Sequence, residues 1–117
     1  MLRMRDARPV SWIKAARREF EQFPIDVQSD MQDALTLAAD GEMSGKAKPM
    51  KGLDGGIFEI ALRHRGDAYR TIYAVKIGVE IWVVHAFQKK SKSGVKTPQA
   101  EIDVIRERLK RLKEALK

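Results

Sequence analysis

Between Ile57 and Phe87 the chain carries three runs of strand character separated by glycine-led dipeptides, and no other stretch constrains the fold as much. Ile57 to Arg63 sets Phe58, Ile60 and Leu62 against Glu59, Ala61 and Arg63, the period-two alternation of a half-buried strand. Tyr69 to Ile77 is rich in aromatic and β-branched residues, and Ile81 to Phe87 is the most apolar run. Gly66-Asp67 and Gly78-Val79 suit two-residue hairpin turns, where a leading glycine supplies the positive φ that the turn requires. The pattern predicts a three-stranded antiparallel meander. Val10 to Ile13, with Trp12 as an anchor, reads as an N-terminal strand that joins it.

Helical periods flank the meander. A first helix is expected from about Ala15, with Ala16, Phe20 and Phe23 on one stripe. Pro24 stops it, because proline has no amide hydrogen to donate and clashes with the preceding turn. Asp26 to Ala39 repeats Val27, Met31, Ala34, Leu35 and Ala38 at helical spacing and runs into Gly41, which suits a left-handed C-cap. The two helices form a hairpin whose Met and Phe stripe is core. Gly41 to Gly56 reads as a loop carrying Lys46, Lys48 and Lys51. A last helix is expected from Thr97-Pro98, with threonine as the N-cap and proline in the first turn. Ile102, Ile105, Leu109, Leu112 and Leu116 then make a narrow seam, expected to dock on the chain's own sheet. The class predicted is α+β: an N-terminal strand and helical hairpin, a three-stranded meander and a C-terminal helix. At 117 residues and 44% apolar content the chain is expected to be one domain, 1–117.

Composition excludes several chemistries. With no cysteine there is no disulfide framework, thiolate nucleophile or Cys-built zinc site. Two histidines, with no Asp/Glu/His set at ligand spacing, give no reason to expect a metal or other cofactor. Gly52-Leu53-Asp54-Gly55-Gly56 lacks the Gly-Lys-Ser/Thr of a phosphate-cradling loop, and no nucleophile triad is evident. The apolar runs are too short to span a membrane, and the basic N-terminus leads into no apolar signal core, so a cytoplasmic protein is expected. Charge points to a partner: 23 Lys+Arg against 16 Asp+Glu give +7. From Gln88 to Lys117 there are ten Lys/Arg and four Asp/Glu, so nearly all the excess lies in the last quarter. That suits a polyanion, although a solvated helix with its cations near the C-terminal dipole reads the same way.

Two-residue turns fix which side chains meet. With Gly66-Asp67 as the turn, Arg63 pairs with Arg70 and Ala61 with Ile72. With Gly78-Val79 as the turn, Ile72 pairs with His85 and Arg70 with Phe87. Arg63, Arg70, His85 and Phe87 then share one face, and Phe58, Ile60, Leu62, Tyr73, Val75, Trp82 and Val84 form a core on the other. Directly opposed arginines repel, so an anion, or a carboxylate such as Glu59, is expected beside them. The arginine face is accordingly expected to be open to solvent, and Arg70→Ala to leave the fold intact. Taken singly, each arginine fits a strand surface, His85 a satisfied core histidine, and Lys89 and Lys90 a protected strand end. Together with the Lys89-Lys90-Ser91-Lys92 run they suit phosphate.

Lys51-Gly52-Leu53, Phe58-Glu59-Ile60, Tyr69-Arg70-Thr71-Ile72-Tyr73, His85-Ala86-Phe87-Gln88-Lys89-Lys90, Thr97-Pro98 and Glu101-Ile102 follow one another in that order. From about Val10 onward this set resembles the RelE/ParE toxin superfamily, in its HigB-like, phage-derived branch. The resemblance implies a small basic toxin of a type II toxin–antitoxin module, with a twisted antiparallel sheet on a helical hairpin. It implies metal-independent, ribosome-dependent mRNA cleavage, in which the 2′-hydroxyl attacks the adjacent phosphate. Arg70 matches the family's phosphate-binding arginine, and Lys89 and Lys90 fall where a second catalytic cation is carried. Glu59 or His85 is left as the base, with Arg63, Lys51, Lys92 and Phe87 as RNA and phosphate contacts. The implied partners are a cognate helix-turn-helix antitoxin, the ribosome and mRNA, with the toxin monomeric when free and oligomeric with its antitoxin. Two alternatives stay open: a non-nuclease poison of a protein target such as DNA gyrase, as in ParE-like members, and a basic nucleic-acid-binding phage protein.

Overall fold

The computed structural model describes residues 7–53, 55–89 and 96–117. Along the chain these form β1 (Val10–Trp12), α1 (Lys14–Phe20), α2 (Ile25–Ala39), β2 (Ala47–Pro49), β3 (Ile57–His64), β4 (Asp67–Ala74), β5 (Ile81–Lys89) and α3 (Gln99–Ala115). The strands make one sheet in the order β1-β5-β4-β3-β2. The pairs β2–β3, β3–β4 and β4–β5 are antiparallel, and β1 runs parallel to β5. The helical hairpin covers one face of the sheet and α3 the other. The expected α+β class and the docking of the last helix on its own sheet both hold; Ile105, Leu109 and Leu112 are buried there.

On the hairpin face, α2 buries Val27, Met31, Ala34, Leu35 and Ala38 against Ile60, Tyr69 and Tyr73. A row of aromatic rings, Trp12–Phe20–Phe23–Tyr69, continues it with centroids 4.8, 5.7 and 5.0 Å apart. Gly41 ends α2 at φ 84°, where its amide reaches the Ala38 carbonyl and the Glu42 amide that of Leu37. That pair of bonds is a Schellman cap, which favours glycine because a side chain at positive φ is strained.

The expected loop holds a strand. β2 pairs with β3 through Lys48 opposite Glu59, so among the described residues the sheet has five strands and its edge is lysine-bearing. Nothing in Ala47-Lys48-Pro49 alternates strongly enough to show this, and the pairing is set by the neighbouring β3.

The register of the first hairpin needs correction, and that of the second holds as far as Ile72. The β3–β4 turn is Arg65-Gly66, not Gly66-Asp67: His64 pairs with Asp67, and φ is 51° at Arg65 and 86° at Gly66. Two positive φ values make the primed turn whose twist matches the strands. The register therefore slides by two residues. Arg63 pairs with Ala68 and Arg70 with Ala61, so the arginines share a face without opposing each other. Between β4 and β5, Ile72–His85 and Arg70–Phe87 pair as expected. Beyond them the register shifts, with Tyr73 opposite Val83 and Ala74 opposite Trp82. This bulge sends Trp82 and Val84 to the α3 face, against the expectation that they lie with Tyr73. Residues 75–80 form a longer connection than the Gly78-Val79 turn, tied down by Arg8, whose guanidinium donates to the carbonyls of Val75, Val79 and Glu80.

Candidate functional site

Glu59 on β3, Ile72 on β4 and His85 on β5 form one row across the sheet, and Ala61, Arg70 and Phe87 form the next. Both rows face α3. The arginine face is therefore not open to solvent: Arg70 is 6% exposed, Glu59 2% and His85 3%. The helix that was expected to dock on the sheet docks on this face, which is why the expectation of an accessible Arg70 fails.

Under the start of α3, Arg70 Nη1 donates to Glu59 Oε1 at 3.1 Å, and the Thr97 hydroxyl donates to Glu59 Oε2 at 2.5 Å. Thr97 does not cap α3, as it was expected to; Pro98 holds the N-cap position and makes no side-chain cap bond. The carboxylate neutralises Arg70 as the sequence suggested it could. Removing Arg70 would leave Glu59 buried and unpaired, which costs about 3–5 kcal/mol. Arg70→Ala is therefore expected to weaken the fold, contrary to the reading from sequence.

A cleft of about 520 Å³ opens beside this pair, lined by Glu59 and Thr97 together with Lys48, Met50, Lys51 and Lys96. Lys89 joins the segment that lines it, its Nζ donating to the Lys96 carbonyl at 2.6 Å. Burial and the Arg70 charge, helped by Lys48 and opposed by Glu59, push Lys89 below the ordinary lysine range. The result is a carboxylate bordered by several cations.

A second polar cluster lies one helical turn further along α3. His85 Nε2 meets Glu101 Oε1 at 2.6 Å, and His85 Nδ1 meets Glu19 Oε1 at 3.1 Å. Arg108 donates to both oxygens of Glu19 at 2.8 Å, and the Ala86 amide donates to Glu19 as well. Burial alone would raise the Glu19 pKa, but Arg108, His85 and the Ala86 amide outweigh it and hold the group at about 2. The cluster joins α1, β5 and α3, and Phe87 stacks on the His85 ring at 5.3 Å.

Of the residues expected from sequence, Glu59 and Lys51 line the cleft, Arg70 is paired with Glu59, and Lys89 bonds to the Lys96 carbonyl. His85 and Phe87 are buried under α3, and Arg63 lies exposed nearer the hairpin tip. Lys90 and Lys92 lie outside the described residues. Sequence reasoning missed Thr97, Glu101, Arg108 and Glu19 as site or support residues. The first three recur at positions 97, 101 and 108, on the side of α3 that also carries Ile105, and such spacing marks one helix face. Among the described residues no His, Cys, Asp or Glu group of three or more is arranged to hold a metal ion, and no helix is long and apolar enough to cross a membrane.

Solved structures share this fold, among them two toxins. A free-state arginine-to-alanine mutant of the toxin RelE from E. coli is 20% identical at a TM-score of 0.61, over 90% of this chain and 97% of that one. The toxin–antitoxin complex RelBE2 from Mycobacterium tuberculosis is 17% identical at a TM-score of 0.51, over 73% of this chain and 94% of that one. Among curated proteins none matches the sequence. The model of the family described as phage-derived protein Gp49-like (DUF891) matches residues 18–110, a span that holds α2, all the strands but β1, and the cleft. The chain belongs to this Gp49-like family, a RelE-like toxin family of the RelE/ParE superfamily.

Proposed function

We propose that the chain is the toxin of a toxin–antitoxin module and cleaves mRNA on the ribosome without a metal ion. The observation that carries this reading is that Glu59 lines one cleft with Lys48, Lys51 and Lys96. Metal-free cleavage of a phosphodiester needs a base for the 2′-hydroxyl and positive charge for the phosphate, and this cleft pairs the two. Glu59 accepts the 2′-proton, the 2′-oxygen bonds to phosphorus, and the P–O5′ bond breaks to leave a 2′,3′-cyclic phosphate. Lys89, with its lowered pKa, returns a proton to the departing 5′-oxygen. Arg70 acts from behind Glu59 rather than on the phosphate, because it is buried against that carboxylate.

The net charge of +7 suits a ribosomal and mRNA partner, and translation places the action in the cytoplasm. The RelBE2 neighbour is a toxin–antitoxin complex, which supports an antitoxin as the natural inhibitor, here one with a helix-turn-helix. One observation favours a second reading, a poison of a protein target: Arg70 is already neutralised and nearly sealed. Induced expression followed by mapping of mRNA 5′ ends separates the two. New 5′ ends inside translated frames, suppressed by the co-expressed antitoxin, are expected; growth arrest with intact mRNA would favour the protein target.

A further inference from the structure

Phe58-Glu59-Ile60, His85-Ala86-Phe87, Thr97-Pro98 and Glu101-Ile102 stand apart in the sequence, yet the fold joins them along a single seam. Thr97 meets Glu59, Glu101 meets His85 one turn later, and Arg108 meets Glu19 two turns after that. We infer that Thr97 is a positioning residue, whose hydroxyl fixes the Glu59 carboxylate in its reactive orientation while the Glu101–His85 and Arg108–Glu19 contacts hold α3 in place to deliver it. The inference rests on the reading of Glu59 as the base.

Three features of the geometry carry it. The two oxygens of Glu59 are held by different elements, Oε1 by Arg70 on β4 and Oε2 by Thr97 just ahead of α3. The terminal torsion of a glutamate is broad, so one donor leaves the carboxylate plane free to turn and two donors fix it. Each carboxylate oxygen can accept more than one hydrogen bond, so a substrate hydroxyl can still be received. Second, the Thr97 hydroxyl is not used by the helix. Pro98 stands at the N-cap without any side-chain cap bond, whereas a threonine there would stabilise α3. Third, Thr97 joins directly onto a helix anchored at two further polar points, both part-buried and both on the sheet side. The hydroxyl is thus placed by α3 as a whole rather than by a loop of its own.

The test compares wild type with Thr97→Val, which keeps the shape and removes the hydroxyl, and Thr97→Ser, which restores it. Steady-state cleavage of ribosome-bound mRNA and melting temperature are measured on the same preparations. The hydrogen bond to a carboxylate corresponds to a loss of roughly ten- to a hundredfold in kcat for the valine variant. KM should stay near wild type and the serine variant should recover most of the rate. Wild-type kcat in the valine variant overturns the inference, as does a loss that serine does not restore. The carboxyl carbon-13 signal of Glu59 is recorded for the three proteins as a readout independent of cleavage. If wild type does not cleave, the base reading fails by itself and this signal decides. A shift in the valine variant that serine reverses upholds Thr97 as the residue that sets the carboxylate, and an unmoved signal overturns it.

Discussion

The two faces of the sheet are built on different terms. Against the helical hairpin the buried side chains are aliphatic or aromatic apart from the uncharged Thr71, with Met31, Leu35, Phe20 and Tyr73 at the centre. Against α3 the sheet buries Glu59, Arg70 and His85 among Ile57, Ile72 and Val84. Burying charge costs several kcal/mol per ion before any pairing, and an apolar set of the same volume serves stability as well or better. A face made only to fold would resemble the hairpin side. The α3 side retains its charges in paired positions next to a lysine-bordered cleft, and this contrast is the strongest physical sign that it carries the function.

If the hairpin face is the principal apolar core, Leu35→Ala should be the most damaging truncation of an apolar side chain. The expected cost is about 2–5 kcal/mol, read from urea denaturation. A cost below about 1 kcal/mol would mean that the division between the faces is wrong. Glu19→Gln comes next. Its depressed pKa, from 4.5 to about 2, sets an upper bound near 3 kcal/mol. With its side chain 31% exposed, solvent screening lowers the expected loss to about 1–2 kcal/mol. The sign follows from the lowered pKa: the stabilisation is complete above about pH 4.5 and disappears as pH falls through about 2. Denaturation curves across that window should slope for wild type and flatten for the glutamine variant. Smallest in stability, but visible in binding, are Lys48→Gln and Lys51→Gln at the border of the cleft. Each should leave the fold within about 0.5 kcal/mol and reduce the salt slope of RNA binding by about one. Unchanged slopes would separate the cleft from the polyanion.

Element types were legible because periodicity is local: α2 and the alternation of β3 could be read directly from spacing. Register was not, because it depends on which dipeptide takes positive φ. Arg65 does so although it is not glycine, and the turn moved by one position along each strand. The bulge at Ile72–Tyr73 leaves no mark in composition and alone decides that Trp82 faces α3. At the site, Arg70 and Glu59 were legible as neighbours because a two-residue slide preserves the face. Their burial was not, because nothing in the seam of α3 specifies which side of the sheet it covers. Thr97 was misread for a similar reason. A threonine before proline satisfies the local rule for a helix start, and only the tertiary fold reveals a carboxylate within its reach.

The central claim is that the α3 face is a reactive site and not an unusually polar core, and Glu59→Gln tests it most directly. Glutamine keeps the shape and still accepts from Arg70 or Thr97 through its amide oxygen, but it cannot take a proton from a 2′-hydroxyl. Cleavage of ribosome-bound mRNA by the purified variant should fall by about a hundredfold or more, in the range that loss of a general base produces, when measured well below a melting temperature that the loss of Arg70's counter-charge lowers. Wild-type cleavage by a folded Glu59→Gln protein would contradict the account.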